Sequence, residues 1–370
     1  MKITTMETIP VSVPLRTFMG GSYYTGVHNL EYVLVRLTTD EGLTGLGEAG
    51  SMGPWGETQR MAMATLHELR PAIVGSDPFE IERVHERMAA LVKDHPISKC
   101  AVDMALHDIV GKAAGVPVHM LLGGRYRRSM PIHCSIGIKD VKPAIEEAQN
   151  YLKIGVRHLK VKVGRDPKRD IEVVKQVRAL IAKDALLMVD ANQGYETVHS
   201  ALDTIWKMEA YGPLLIEQPI AGTDLDGLAE IRRRIASPVM ADEALWTPED
   251  CLRIVEKRAA DAVQVYLQKS AGFARAQKSV HIAEAARLIA VIGGMTDLGI
   301  ASAAELHISA AMRNVRPDII AAGISGPGII ADDVIQVPFT IKDGGVDVPE
   351  GPGLGIELDE GKVKKYRVDL

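Results

Sequence analysis

The stretch "HLKVKVG" at residues 158–164 reads as a strand, with Leu159, Val161 and Val163 on one side and two lysines, Lys160 and Lys162, on the other. Side chains at i and i+2 of a strand project to the same face. When the apolar face packs outward against helices, both amines enter the interior together, where an uncompensated charge is expensive. Whatever offsets those two charges has to come from elsewhere in the chain.

From about residue 130 the rhythm of this stretch recurs. Apolar runs ending in polar residues appear as MPIHCSIG, RHLKVKVG, LLMVDANQG, LLIEQPI, PVMADEAL, DAVQVYLQK, RLIAVIGGM and PDIIAAGIS, and amphipathic segments such as 140–154, 167–183 and 272–286 lie between them. Strand alternating with helix implies a parallel sheet, and eight such units at roughly 25-residue spacing are the signature of a (β/α)8, TIM-like barrel. The first 128 residues do not repeat. EYVLVRLTTDEGLTGLGEA reads as a hairpin turning at Asp40-Glu41-Gly42. From Glu57 to Leu122 the apolar spacing is helical: in AVDMALHDIVGKAAG, Val102, Ala105, Leu106 and Ile109 share a face and Gly115 marks a stop. After about 330 short strand-like pieces end in PEGPGLGIELDEG. The expected class is α/β, with an α+β capping domain at 1–128, a barrel catalytic domain at 129–329, and a C-terminal segment at 330–370 that returns to the cap.

The bulk composition is consistent with this. The chain has 370 residues, 46% hydrophobic and 25% charged, enough apolar material for a real core and too much for a disordered chain. A net charge of -5 supplies no basic footprint for nucleic acid and no charged face for a membrane. The N-terminus alternates like a strand, and no run of about 18 apolar residues is present, so no signal peptide or membrane span is expected. A cytoplasmic location and a small-molecule partner follow. Cys100, Cys134 and Cys251 are far apart and set among apolar residues, which reads as buried thiols.

Chemistry in such a barrel sits at the C-terminal ends of the strands. Those ends carry Lys160 and Lys162, then Asp190 and Asn192, Glu217 and Gln218, Asp242 and Glu243, and Tyr266 with Lys269. A single acid after an apolar run is most simply a helix cap or the partner of a surface lysine. Three on consecutive strands, Asp190, Glu217 and Asp242, converge on one point and repel, and a hard divalent cation with oxygen ligands resolves that conflict. A partly buried lysine with a cationic neighbour has its ammonium form disfavoured and can act as a base. Lys162 is the expected base and Lys160 the neighbour, also placed to meet a substrate carboxylate. A cation beside them stabilises the enediolate formed when an α-proton leaves.

At this point the chain resembles the enolase superfamily, in particular the muconate lactonizing enzyme (muconate cycloisomerase) subgroup of the mandelate racemase/muconate lactonizing enzyme family. The resemblance rests on DEGLTGLGEA, AVDMALHDIVGKAAGVPVHMLLGG, the K-x-K at 160–162, VDANQGY, IEQP, ADEA, GGMTDLGI and GPGLGIELDE, in that order. It implies a modified barrel of the (β/α)7β kind and Mg2+ (Mn2+ as a possible substitute) held by Asp190, Glu217 and Asp242. It further implies Lys162 as base on one substrate face, Asp297 as the acidic residue ending the seventh strand, and a homo-oligomer, a dimer or larger. The mandelate racemase subgroup carries a histidine at the end of the seventh strand, where this chain reads VIGGMTDLG. His281 and His307 fall in helical segments and read as structural or exposed.

One departure from the family pattern bears on mechanism. The subgroup ends its sixth strand with a second catalytic lysine, and the matching stretch here, DAVQVYLQKSAG, places Tyr266 there and Lys269 three residues on. By alternation Lys269 falls off the inward-facing series of Tyr266 and is not expected to substitute for that lysine directly. A racemase or epimerase needs competent groups on both faces, whereas a cycloisomerase or syn lyase works with one base. Tyrosine, with an ordinary pKa of about 10, donates a proton more readily than it accepts one. One-base chemistry on a carboxylate is the leading expectation; an epimerase with Tyr266 as second acid/base and a decayed carboxylate-binding protein are the alternatives. Cap segments 17–29 and 50–58 have the Gly content of mobile lids, and Tyr23, Tyr24, His28 and Trp55 within them are candidates to touch substrate. Asn192, Lys269 and Asp297 complete the candidate substrate contacts.

Overall fold

The structure is a computed structural model that describes residues 1–19, 26–51, 56–181, 185–324 and 326–369. The first part pairs β1 (Ile3–Met19), β2 (Val27–Thr39) and β3 (Thr44–Ser51) in an antiparallel sheet. The β2–β3 hairpin turns at Asp40-Glu41-Gly42, as expected from the sequence, with Thr38 opposite Thr44. Gly42 has φ +80, the left-handed conformation its turn needs. Helices α1 (Gln59–Ile73), α2 (Ile81–Leu91), α3 (Pro96–Ala114) and α4 (Val118–Leu121) follow. The α3 helix ends at Gly115, whose left-handed backbone lets its N–H close onto Gly111 and Lys112 carbonyls.

Strand β3 alternates between two partners. Gly45 and Gly47 face α3 so closely that a Cβ on either would overlap a backbone carbonyl, that of Ala105 or Ala101. The intervening Leu46 and Glu48 face the other way, where Glu48 accepts hydrogen bonds from Leu298 N (2.8 Å) and Ala301 N (3.0 Å). Glycine is therefore required by packing, and Gly47→Ala is expected to destabilise the protein by about 1–3 kcal/mol, read as a lower denaturant midpoint at unchanged m-value.

Next come β4 (Ser129–Pro131), β5 (His133–Ile136), α5 (Val141–Lys153), β6 (His158–Lys162), α6 (Pro167–Leu180), β7 (Leu186–Asp190), α7 (Val198–Glu209), β8 (Leu215–Glu217), α8 (Leu225–Arg234), β9 (Val239–Ala241), α9 (Pro248–Lys257), β10 (Ala262–Tyr266), α10 (Phe273–Ala285), β11 (Ile289–Gly293) and α11 (Gly299–Ala311). Strands β5 to β11 form a seven-stranded parallel sheet in sequence order. The eighth apolar run closes it without forming a full strand: Gly323 bridges to Gly293 of β11, and Ala322 bridges to Ile132 just ahead of β5. The backbone bonds Gly323 N to Ile292 O (2.8 Å) and His133 N to Ala322 O (3.0 Å) complete the ring. The first run also divides, since β4 pairs instead with β12 (Gly345–Asp347), beyond the short helix α12 (Gly326–Ile329). The chain ends in α13 (Glu360–Tyr366), after which Arg367 bridges to Val11 of β1.

Cys100, Cys134 and Cys251 are buried thiols. Among the described residues no helix is long and apolar enough to cross a membrane.

Candidate active site

Alternation along the strands sorts side chains into two environments. Leu159, Val161, Val189, Ile216, Ala241, Val263 and Ile292 join the large core under the helices. The opposite positions Met188, Leu215, Met240, Ala262 and Val291 form a separate apolar plug with Ile320 inside the ring. One inward position further along, toward the C-terminal ends, come Asp190, Glu217 and Asp242, all buried. Lys162 is level with Asp190, and Asp190 with Glu217, across adjacent strands. The lysines of HLKVKVG thus meet acids at the height that strand register dictates.

The contacts are close. Lys162 Nζ donates to Asp190 Oδ2 (2.5 Å) and Asn192 Oδ1 (2.8 Å). Lys160 Nζ donates to Glu217 Oε1 (3.2 Å) and Oε2 (3.1 Å) and lies 3.3 Å from Asp190 Oδ2. Burial raises the Asp190 carboxyl, and the charges of Lys162 and Lys160 overcome that, holding it well below the ordinary range. For Glu217, burial and the nearby Asp190 and Asp242 anions outweigh the Lys160 amine, and the carboxyl is pushed well up. Sequence reading emphasised the repulsion between the two amines; here each amine also has a carboxylate within hydrogen-bond reach.

The strand ends are held by strained or polar turns. Asn192, Gln193 and Gln218 have positive φ (41, 64 and 34), a conformation non-glycine residues keep only where surroundings enforce it. The Gln218 Oε1 accepts from Asp242 N (2.9 Å) and Ala244 N (3.1 Å), tying the end of β8 to the end of β9. Burial, with the charges of Asp242 and Asp190, raises the Glu243 carboxyl to about 8.

At the end of β10 the Tyr266 hydroxyl donates toward Asp242 Oδ2 at 3.4 Å and accepts from Gln264 Nε2 at 2.9 Å. Burial and the Asp242 charge push its pKa well up, so the phenol keeps its proton. Lys269 lies past the strand end, where the chain turns, and its side chain folds back to the same place. Its amine donates to Asp242 Oδ1 (2.6 Å) and Asp242 O (2.8 Å) and lies 4.1 Å above the Tyr266 ring. The Lys269 side chain has no exposed surface.

Asp297 follows β11 and turns inward: Oδ2 accepts from Met295 N (2.7 Å), Oδ1 accepts from Gln268 Nε2, and Glu305 adjoins it. Burial lifts Asp297 to about 6 and Glu305 well above the ordinary range. Gln268 also accepts from Gly50 N (2.8 Å), linking the cap to this cluster. Tyr24, Tyr23 and Trp55 lie outside the described residues, and His28 stands at the start of β2. His281 is exposed on α10, and His307 is buried on α11 with Nε2 3.1 Å from Leu354 O. Glu48, Gln218, Gln268 and Glu305 carry structural polar contacts around the site that sequence reading left unassigned. Their only signal was a polar residue beside a strand end (Gln218, Gln268), within a strand of the cap (Glu48) or within an apolar helix (Glu305).

Three hard carboxylate donors from neighbouring strands, close enough that two of them raise the third, suit a magnesium ion in charge and chemistry. As the side chains stand, they turn to the lysine amines, and among the described residues no three His, Cys, Asp or Glu groups are arranged to hold an ion. Binding therefore requires the carboxylates to swing partly off those amines.

Residues 3–123 match the family profile described as the mandelate racemase/muconate lactonizing enzyme N-terminal domain, and residues 144–362 match the enolase C-terminal domain-like profile. The chain belongs to the mandelate racemase/muconate lactonizing enzyme family of the enolase superfamily. It is 32% identical to the N-succinyl-L-Arg/Lys racemase of Bacillus cereus, covering 100% of this chain and 98% of that one. The crystal structure of that racemase superposes with a TM-score of 0.95 over 100% of this chain and 99% of that one, at 31% identity. Muconate cycloisomerase 1 of Rhodococcus opacus is 34% identical, over 99% and 98% of the two chains. A dipeptide epimerase of Enterococcus faecalis, in a structure complexed with Mg and the dipeptide L-Leu-L-Tyr, superposes at TM-score 0.91 and 29% identity, over 96% of this chain and 100% of that one. The family thus contains both cycloisomerases and epimerases, and this chain is an enzyme of that kind.

Proposed function

We propose that the protein removes or delivers the proton α to a carboxylate from one substrate face, with Lys162 as the acid/base, as a cycloisomerase or syn lyase. Asp190, Glu217 and Asp242 are the residues that would hold magnesium. When bound, that ion neutralises a substrate carboxylate and so lowers the energy of the enediolate. In an elimination the Lys162 amine takes the α-proton, the C–H electron pair passes into the enediolate, and that pair then expels the β-leaving group. In a ring closure a substrate carboxylate oxygen adds to a conjugated double bond, the π pair passes into the enediolate, and the Lys162 ammonium delivers a proton to the α-carbon. Lys160, deeper in the ring, offsets the charge of Asp190 and Glu217.

The observation that carries this reading is the asymmetry of the barrel mouth. An amine stands at the end of β6, while β10 ends in a phenol that burial keeps protonated. The nearby Lys269 amine pairs with Asp242 as Lys162 does with Asp190, but its side chain has no exposed surface on which to meet a substrate, whereas that of Lys162 is partly exposed. A second reading, two-face epimerisation with Tyr266 as the opposite acid/base, draws support from the likeness to the B. cereus racemase.

Magnesium-loaded protein in heavy water, offered N-succinyl-L-arginine, L-Ala-L-Glu and muconate in turn and followed by proton NMR and polarimetry, separates the two. One-face chemistry predicts a cyclised or eliminated product, or α-deuterium with configuration retained. An inverted product carrying solvent deuterium would rule it out in favour of the epimerase.

A further inference from the structure

We propose that Glu243 is a positioning residue for the Lys162 amine and acts through the Asn192 side-chain amide; this rests on the reading of Lys162 as the base. Lys162 Nζ donates to Asn192 Oδ1 at 2.8 Å, and Asn192 Nδ2 donates to Glu243 Oε1 at 3.0 Å. The two bonds share one planar amide, so the second fixes the sense of the first. An amide turned over would present its NH2 group, a donor, to an ammonium that can only donate. Glu243 supplies the acceptor that makes the turned-over arrangement unfavourable.

Both ends of this link are anchored independently. The Asn192 backbone is held at φ 41, with its N–H on Asp190 Oδ1 at 2.8 Å. Glu243 sits between Asp242 and Ala244, whose N–H groups both reach Gln218 Oε1. The other carboxyl oxygen, Glu243 Oε2, is buried with no hydrogen-bond partner among the described residues, so the Asn192 contact is the one the described side chains give this carboxylate.

The test reads the amine directly and does not depend on turnover. Lys162, whose side chain is 16% exposed, is labelled with trinitrobenzenesulfonate in the full-length magnesium-loaded protein, and its rate is followed by peptide mass spectrometry. Loss of the fixed hydrogen bond in Glu243→Ala is expected to raise that rate by about tenfold. Glu243→Gln, which keeps an acceptor oxygen at the same reach, is expected to label like the native protein. Asn192→Ala should match Glu243→Ala, and the double variant should be no faster than either, because residues acting in one chain do not add. Glu243→Met, of similar length without the acceptor, replaces the alanine variant should that fail to fold. Native-like labelling in Glu243→Ala or Glu243→Met, or effects that multiply in the double variant, overturn the proposal. Where a probe substrate is turned over, kcat should fall on the order of 10²-fold in Glu243→Ala with KM little changed, and recover in Glu243→Gln. Labelling that follows this pattern, with Lys162→Ala turning over a probe substrate as fast as the native protein, would uphold the positioning role and refute Lys162 as the base.

Discussion

Lys162→Ala is expected to lower turnover by about 10²–10⁴-fold, the usual contribution of a positioned acid/base, and to abolish solvent exchange at the substrate α-carbon. The fold should survive, because Asp190 keeps the Asn192 N–H at 2.8 Å and the Lys160 amine at 3.3 Å, so no buried anion is orphaned. Tyr266→Phe removes a hydroxyl 3.4 Å from Asp242 Oδ2, a long bond, and is expected to cost less than about tenfold. The inequality between the two variants is the signature of one-base chemistry. Equal losses, with Tyr266→Phe also stopping inversion, would point to the epimerase. Unchanged ligand binding in Lys162→Ala, with no native turnover to lose, would instead fit a protein that only binds carboxylates.

The barrel and the site were legible to different depths. Period-two alternation showed which side of HLKVKVG faces inward, and the structure separates Leu159 and Val161 from Lys160 and Lys162 in that sense. The order of Asp190, Glu217 and Asp242 was readable because each directly follows a short apolar run, and neighbouring parallel strands put such ends side by side. Alternation failed at Lys269. It predicts direction only while the strand continues, and β10 stops at Tyr266, so the chain turns and brings the Lys269 amine back over the Tyr266 ring. The eighth run looked like a strand by composition but, among the described residues, makes only single bridges at Ala322 and Gly323. Ring closure is set by the geometry of its two neighbours, which local pattern does not contain. The Glu48, Asp297 and Glu305 cluster was invisible for a similar reason, since it joins residues some 250 positions apart, as in the Glu48 contact with Leu298.

The same long-range logic predicts the largest stability effect away from the site. Asp103, buried on α3, accepts from His85 Nε2 (2.8 Å) and Phe273 N (3.0 Å) and lies 3.1 Å from His107 Nδ1. It thereby pins the cap to the start of α10, just beyond the turn that carries Lys269; a Cβ at the intervening Gly272 would overlap its carboxyl. Asp103→Ala removes the acceptor of His85 and of the Phe273 N–H and takes the charge from beside His107, which keeps only the Asp103 carbonyl (2.9 Å). It is expected to cost about 3–5 kcal/mol, read by denaturant unfolding. The pH dependence has a definite sign. Burial raises the Asp103 carboxyl, but the charge and hydrogen bond of His107 and the contact with His85 carry it well below the ordinary range. Its contribution is therefore complete above the unfolded carboxyl pKa of about 4 and is lost as pH falls further. Burial lowers His107, and the Asp103 charge and hydrogen bonds more than reverse that. Its contribution is complete below about 6.5 and is lost as pH rises through the elevated folded value. The stability difference between the native protein and Asp103→Asn should accordingly be greatest between about pH 4 and 6.5 and shrink on both sides. A difference that fails to shrink as pH rises above about 6.5 would mean that His107 stays neutral, leaving the Phe273 N–H bond as the joint that holds the cap.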